Sequence, residues 1–323
     1  MCIIIRTFAF DTLIIRNMGR FINPFTDVGF KRIFGQEFSK PLLLDFLNNL
    51  LKGEREITDI TFLDKEEPSE YDSDRSLIYD IYCETADREH IIVEMQNREQ
   101  PFFKKRSIYY TSKAIARQGV RGAKWNYGIT AVYFVAFLNF KLEDIGEKFR
   151  TDVALADMNT KEQFSGDMRM IFLQLPYFIK DADSCENDFE RWIYVLKNME
   201  VLNRLPWEAQ NSVFERLAKI ADISAMSKAD RDKYDESIKK YRDTINVMEG
   251  AIEKGFKQGM EKGIEKGIEK GIEKGIEMGE NKMAQNIARQ LKAMGMTVAD
   301  IQKATGLPME EIEKLFADTN DKE

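Results

Sequence analysis

The stretch SLIYDIYCETADREHIIVEMQ, residues 76–96, consists of two short apolar runs, 76–84 and 90–96, joined by the polar segment TADRE. Side-chain character alternates along each run, so each reads as a β-strand of period two, and together they read as a hairpin. Ile78, Asp80 and Tyr82 share one face of the first strand, and Ile92, Glu94 and Gln96 share one face of the second. A turn centred on Asp87 sets Asp80 directly opposite Glu94. Two facing carboxylates repel, at a cost of about 0.2–1 kcal/mol on the cross-strand scale, and a divalent cation between them reverses that sign. A solvated hairpin with two acids at its rim is the plainer reading. Against it, the remaining residues are mostly Ile, Val, Tyr, Cys and Met, which predicts burial on both faces and makes an unpaired carboxylate expensive. Register decides between the two, because a slip of one residue moves every side chain to the other face.

Composition narrows the chemistry. The 323 residues exceed one typical domain and predict two units of different size. A hydrophobic content of 43% beside 32% charged residues fits a soluble globular protein carrying an additional charged segment. The net charge of -7 argues against a chain that coats nucleic acid non-specifically, while leaving room for a local basic groove. Cys2, Cys83 and Cys185 lie far apart without a CxxC pair, so neither a disulfide framework nor a thiolate zinc site is expected, and the cytoplasm is the default location. His90 is the sole histidine, which excludes an HExxH site and leaves a Ser-His-Asp triad only through that residue. Any metal ligands are then expected to be oxygens, favouring magnesium or manganese over zinc. The opening MCIIIRTFAFDTLIIRNMG is interrupted by Arg6, Asp11 and Arg16; it is too short and broken for a membrane span and lacks a signal-peptide cleavage pattern. Met18 is a candidate start, since the organised sequence begins just after it.

Either side of the hairpin, the pattern is that of an α/β protein. NPFTDVGFKRIFG (23–35) reads as a capped short helix stopped by Gly35, and Ser39 reads as the cap of a second helix, PLLLDFLNNLL. ITDITFL (57–63) is the expected first strand, followed by the hairpin and a helix over 102–120. ITAVYFVAFL (129–138) is a nearly continuous apolar run, as in a central strand covered on both faces. MRMIFLQL (168–175) is a further strand ended by Pro176. The expected class is α/β with a mixed sheet flanked by helices and an α-helical C-terminal extension.

Glycine then recurs at every fourth position from Gly255 to Gly279, mostly in EKGI units. Each costs a helix about 0.8–1 kcal/mol against alanine, and a four-residue period drifts by about 40° per unit on a helix of 3.6 residues per turn. The segment reads either as a spacer grown by repeat expansion or as a spiral stripe open to close approach by another helix. After it, 283–294, VADIQKATG and PMEEIEKLF suggest a small trihelical unit resembling a helix-turn-helix. Asp300, Glu310, Glu311 and Glu313 make it as much an interaction module as a DNA binder.

Asp80, thirteen intervening residues, then Glu94-Met95-Gln96 resembles the active-site signature of the PD-(D/E)xK nuclease superfamily, with glutamine where that signature ends in lysine. With NPFTDVGFKRIFG before it and FFKKRSIYYTSKAIARQ (102–118) after it, residues 21–175 resemble the bacterial recombination-promoting nucleases described as PD-(D/E)xK family transposases. The resemblance implies a restriction-endonuclease-like core and Mg2+-dependent (or Mn2+-dependent) hydrolysis of DNA phosphodiesters. It implies that Asp80 and Glu94 hold the ion, that Gln96 orients the attacking water, and that Asp27 matches a position from which a further acid approaches the metal. Asp27 reads equally as an ordinary acid at a helix N-terminus. A neutral amide cannot replace the charge of lysine, so a weak nuclease is expected. Arg106, Lys113 and Arg117 recur on one side of a helix that starts with Lys104 and Lys105. These five cations are candidate DNA-phosphate contacts, with a merely solvated basic face as the alternative. The expected division is an N-terminal extension (1–20), a nuclease-like domain (21–185), a helical region (186–250), the repeat (251–282) and a terminal helical module (283–318). Expected partners are DNA and, through the C-terminal helices, further copies of the chain; a catalytically silent scaffold is the competing reading.

Overall fold

The computed structural model describes residues 19–64, 66–67, 77–120, 125–142 and 145–320; the expectations for Met18, Cys2 and the rest of 1–18 lie outside them. The chain divides into two compact units, Met1–Asp243 and Thr244–Glu323.

In the first unit, α1 (Asp27–Phe34) starts where Thr26 Oγ1 accepts the Gly29 N–H at 3.0 Å, and it stops at Gly35 as predicted. Gly29 is required there, because a Cβ would meet the Asn23 carbonyl oxygen at 2.1 Å. α2 (Lys40–Leu50) follows with Pro41 in its first turn. Ser39 precedes it, but its hydroxyl donates back to the Gln36 carbonyl and does not cap α2; the short 3-10 turn before the helix captures that side chain first. The predicted first strand shortens to β1 (Ile60–Phe62).

The run 76–84 is not one strand. β2 (Glu66–Glu67) and β3 (Leu77–Ile78) form a separate ribbon, and β4 (Ile81–Thr85) begins only after a bend at Asp80. β5 (His90–Gln96) pairs antiparallel with β4, Ile81 facing Val93 and Glu84 facing His90, which is the register centred on Asp87. After α3 (Phe103–Ala116) comes β6 (Val132–Leu138), every residue of which is buried. Two strands remain, β7 (Arg150–Ala156) and β8 (Gln163–Gln174). Among the described residues the main sheet is six-stranded, in the order β1-β4-β5-β6-β8-β7. β5, β6 and β8 run parallel at its centre, and the flanking strands run antiparallel, so the mixed α/β architecture expected from the sequence is present. β7 was not anticipated: RTDVALA is largely exposed and carries no strong alternation, being held instead by its backbone ladder to β8.

The two sheet faces carry separate cores. On one, Ile91, Val93, Val135, Phe137 and Leu173 pack with residues of α1, α2, α4 (Asp188–Asn198) and α5 (Ser212–Ala221). Phe34, Phe46, Phe137 and Trp192 form its aromatic centre, with ring centroids 5.2–6.2 Å apart. On the other, Ile92, Val132, Phe134, Ala136 and Phe172 pack with Phe103 and Ala114 of α3. Glu94 shares the parity of Ile92 and therefore faces α3. The first turns of α6 (Lys228–Ala293) close the first unit, with Tyr234 and Ile238 buried in its core.

In the second unit, the EKGI segment is helical throughout. Its glycines have no atom near the place a Cβ would take, and Ile264, Ile268, Ile272 and Ile276 are each 56–59% exposed. The end of α6 packs with α7 (Val298–Thr305) and α8 (Met309–Asn320) around Ala288, Ile301, Leu307 and Ile312. Thr297 caps α7 by accepting the Asp300 N–H, and Gly306 ends it at φ +71°.

Candidate active site

The site lies at the carboxyl end of β5, beside the C-terminal ends of its parallel neighbours, where open α/β sheets place their ligands. It arises from a break in the backbone ladder. The chain leaves the β2–β3 ribbon at Tyr79 and enters the main sheet at Ile81, so the Asp80 N–H is released from strand pairing and donates to Glu94 Oε1 at 3.3 Å. One residue further along β5, beyond the end of β4, the Met95 N–H donates to Asp80 Oδ2 at 2.8 Å. The two carboxylates are thus held together by neutral backbone donors.

Glu94 is 3% exposed. Burial, reinforced by the nearby Asp80 charge, pushes its pKa up to about 8, while Arg106 pulls in the other direction. Asp80 is raised as well, first by burial; the Met95 N–H and the Lys31 charge oppose the shift, and Asp27 adds to it. Gln96 Nε2 donates to the second Glu94 oxygen, Oε2, at 3.1 Å. Behind the acids stands a tyrosine cluster, Tyr79 against Tyr82 at 5.0 Å and against Tyr110 of α3 at 5.3 Å.

The structure therefore brings together Asp80, Glu94, Gln96 and Arg106. Asp27 stands at the start of α1, 63% exposed and paired with Lys31 at 2.6 Å; its charge reaches Asp80 without joining the pair. Lys105 lies over the exposed Phe102 ring at 5.5 Å and Lys113 over Tyr109 at 5.8 Å. Lys104 stands in the first turn of α3, and Arg117 is its C-cap residue. From Arg106 to Lys113 and Arg117 the rise along the helix is about 10 and 16 Å. Gln118 accepts the Thr130 N–H at 2.6 Å and donates to the Thr130 carbonyl at 3.0 Å, fastening the end of α3 to the approach to β6. His90 sits at the opposite end of β5, stacked on Tyr82 at 5.7 Å, its pKa lowered by burial, so it does not share the site.

Sequence reasoning missed Gln100 and Lys31. Gln100 Nε2 donates to Gln96 Oε1 at 3.2 Å, and Arg106 Nη1 donates to Gln100 Oε1. The spacing of Gln96 and Gln100 carries meaning only once the chain is known to turn between β5 and α3.

A resident cation must suit the donors. Among the described residues, no group of three or more His, Cys, Asp or Glu side chains converges on one point. The pair offers oxygen donors alone, with Glu94 buried between the Asp80 carboxylate and the charge of Arg106. Such a set fits Mg2+, which is commonly held by one or two carboxylates and keeps water or substrate oxygens in its other positions. Asp80 and Glu94 are the residues that would hold it.

The mixed six-stranded sheet flanked by helices is consistent with a PD-(D/E)XK nuclease-like α/β fold. A family model described as PD-(D/E)XK nuclease family transposase matches residues 24–251, and the chain belongs to that family. No curated protein and no solved structure matches the chain. Family membership ties the chain to nuclease and transposase-associated function, and nucleases of this kind generally use divalent metal ions. No described helix is long and apolar enough to cross a membrane.

Proposed function

We propose that the protein is a divalent-metal-dependent DNA endonuclease, cytoplasmic and associated with recombination or mobile elements. The observation that carries this reading is the pairing of half-buried Asp80 with buried Glu94, joined through the backbone on the α3 side of the sheet. Mg2+, or Mn2+ in its place, supplies stabilisation of charge on the phosphate and acidification of bound water when held by Asp80 and Glu94. Gln96, bonded to Glu94, offers its amide to a water or phosphate oxygen. Lys104, Lys105, Arg106, Lys113 and Arg117 supply positive charge along α3 for the DNA backbone. Asp27 and Lys31 bring one charge of each sign to the Asp80 side.

Plasmid cleavage with magnesium, manganese or EDTA tests the reading, comparing the wild type with Asp80→Ala and Glu94→Ala. Divalent-dependent cleavage lost in both variants supports it; cleavage that persists unchanged in either defeats the site.

A second reading, a catalytically silent scaffold that assembles through its C-terminal helices, draws on the exposed isoleucines of the repeat helix. Light scattering tests its assembly: removal of the residues after Gly255 leaves the mass per particle scaling with chain length if the repeat does not assemble.

A further inference from the structure

The active-site signature normally ends in a lysine, a group that only donates hydrogen bonds. Gln96 stands in its place, and a free amide can turn either its N–H groups or its oxygen toward an anionic site. In this chain the choice is made by neighbours. Gln96 Oε1 is occupied by the Gln100 Nε2 donor at 3.2 Å, and Gln100 Oε1 is occupied in turn by a guanidinium N–H of Arg106. The last link runs from Gln96 Nε2 to Glu94 Oε2 at 3.1 Å. All three hydrogen bonds point the same way, from the cation to the carboxylate. Arg106 cannot reverse its end of the chain, because a guanidinium has no acceptor. Its position is fixed between the Phe103 ring at 5.1 Å and the Tyr110 ring at 5.7 Å, and Phe103 is buried.

We propose that Arg106 is a positioning residue of the nuclease site, which acts through Gln100 to lock Gln96 with its N–H groups toward Glu94 and the incoming oxygen. The proposal rests on the nuclease reading for its consequence and on the hydrogen-bond chain for its geometry. It moves Arg106 from the phosphate-contacting row of α3 into the site itself. The relay gives a neutral amide the donor-only character of the missing lysine: with its oxygen engaged and one Nε2 hydrogen on Glu94, the second Nε2 hydrogen is what the amide can present. Polarisation by the cation strengthens each link in the series.

Two substitutions test this in the full-length chain. Gln100→Glu still accepts from Arg106 but cannot donate to Gln96 Oε1, and Arg106→Gln removes the fixed donor at the start of the relay. In metal-free protein labelled with 15N in glutamine side chains, the Gln96 amide pair is identified by its loss in Gln96→Lys. The expected result is that this pair moves in both variants. Divalent-dependent cleavage at saturating DNA falls by about tenfold or more in both variants, beyond whatever the change of one charge in each takes from affinity for an uncleavable phosphorothioate duplex. A thermal melt confirms folding of each variant, and either folded variant alone is decisive.

An unmoved Gln96 resonance overturns the relay. So does a loss confined to duplex affinity and its salt dependence, which identifies Arg106 as a phosphate contact. A wild type with no divalent-dependent cleavage refutes the nuclease reading alone, and the amide resonances still decide the geometry.

Discussion

The backbone N–H of Asp80 donates to the carboxylate of Glu94, and the Asp80 carboxylate accepts from the N–H of the residue after Glu94. The two acids are therefore coupled by orientation as well as by charge. Asp80→Asn keeps an oxygen for the Met95 N–H and loses only the negative charge. Its expected effect is a loss of cleavage by about a hundredfold or more, with a far-UV circular dichroism spectrum like the wild type's. Wild-type cleavage by a folded Asp80→Asn protein would remove Asp80 from the mechanism.

Glu94 sets a pH dependence of stability in chelator. Its folded-state pKa, about 8, lies above the ordinary value of 4.5. Between those values the native state binds more protons than the unfolded state, so stability falls as pH rises through that window. The contribution is fully present below 4.5 and lost above about 8. The slope approaches at most about 1.4 kcal/mol per pH unit. Asp80, raised in the same direction, adds to it. Thermal melts in EDTA from pH 5 to pH 9 are expected to decline more steeply for the wild type than for Glu94→Gln; parallel declines would contradict the burial of this charge.

Two glycines separate packing from propensity. A methyl group at Gly29 meets the Asn23 carbonyl and Thr26 Oγ1, so Gly29→Ala is expected to destabilise the first unit by about 1–3 kcal/mol, measured by denaturant unfolding. At Gly267 nothing lies within 4 Å, and Gly267→Ala is expected to stabilise its stretch of helix. Amide exchange in the repeat should slow by roughly fivefold, the equivalent of about 0.8–1 kcal/mol.

Gln118→Ala strips both backbone groups of Thr130 of a side-chain partner. The expected cost is about 1–3 kcal/mol, read as a lower melting temperature, with metal-dependent cleavage per folded molecule unchanged. A loss of cleavage without a loss of stability would give Gln118 a role beyond fastening α3.

Legibility from sequence followed the physics of each segment. VYFVAFL announces a buried central strand because both of its faces are covered, and the hairpin register followed from alternation about Asp87. The break at Asp80 was hidden, since no glycine or proline interrupts Leu77 to Ile81 while the backbone there changes partners from β2 to β1 and β5. β7 was hidden because a strand held by its backbone ladder needs no apolar pattern. Within the site, the nearness of Asp80 to Glu94 was readable from alternation together with a turn centred on Asp87. Gln100 was not: its part depends on a turn that brings α3 back over the end of β5, and amides four residues apart in a loop carry no periodic mark.

The NPFTD block borders the site, since the Asn97 amide, next to Gln96, donates to the Phe25 carbonyl. That block is itself held from very far along the chain: the Asn23 N–H donates to the Tyr234 hydroxyl, 211 positions later. Residues 20–22 are tied to 221–223 through backbone bonds, and Asn139, whose N–H donates to the Gln96 carbonyl, reaches the Tyr241 hydroxyl. A ribosome therefore releases both acids long before it releases the residues that brace them. The emerging polypeptide carries the signature as an unfinished part, and the bracing of the two acids can be completed only after the start of α6 has left the exit tunnel.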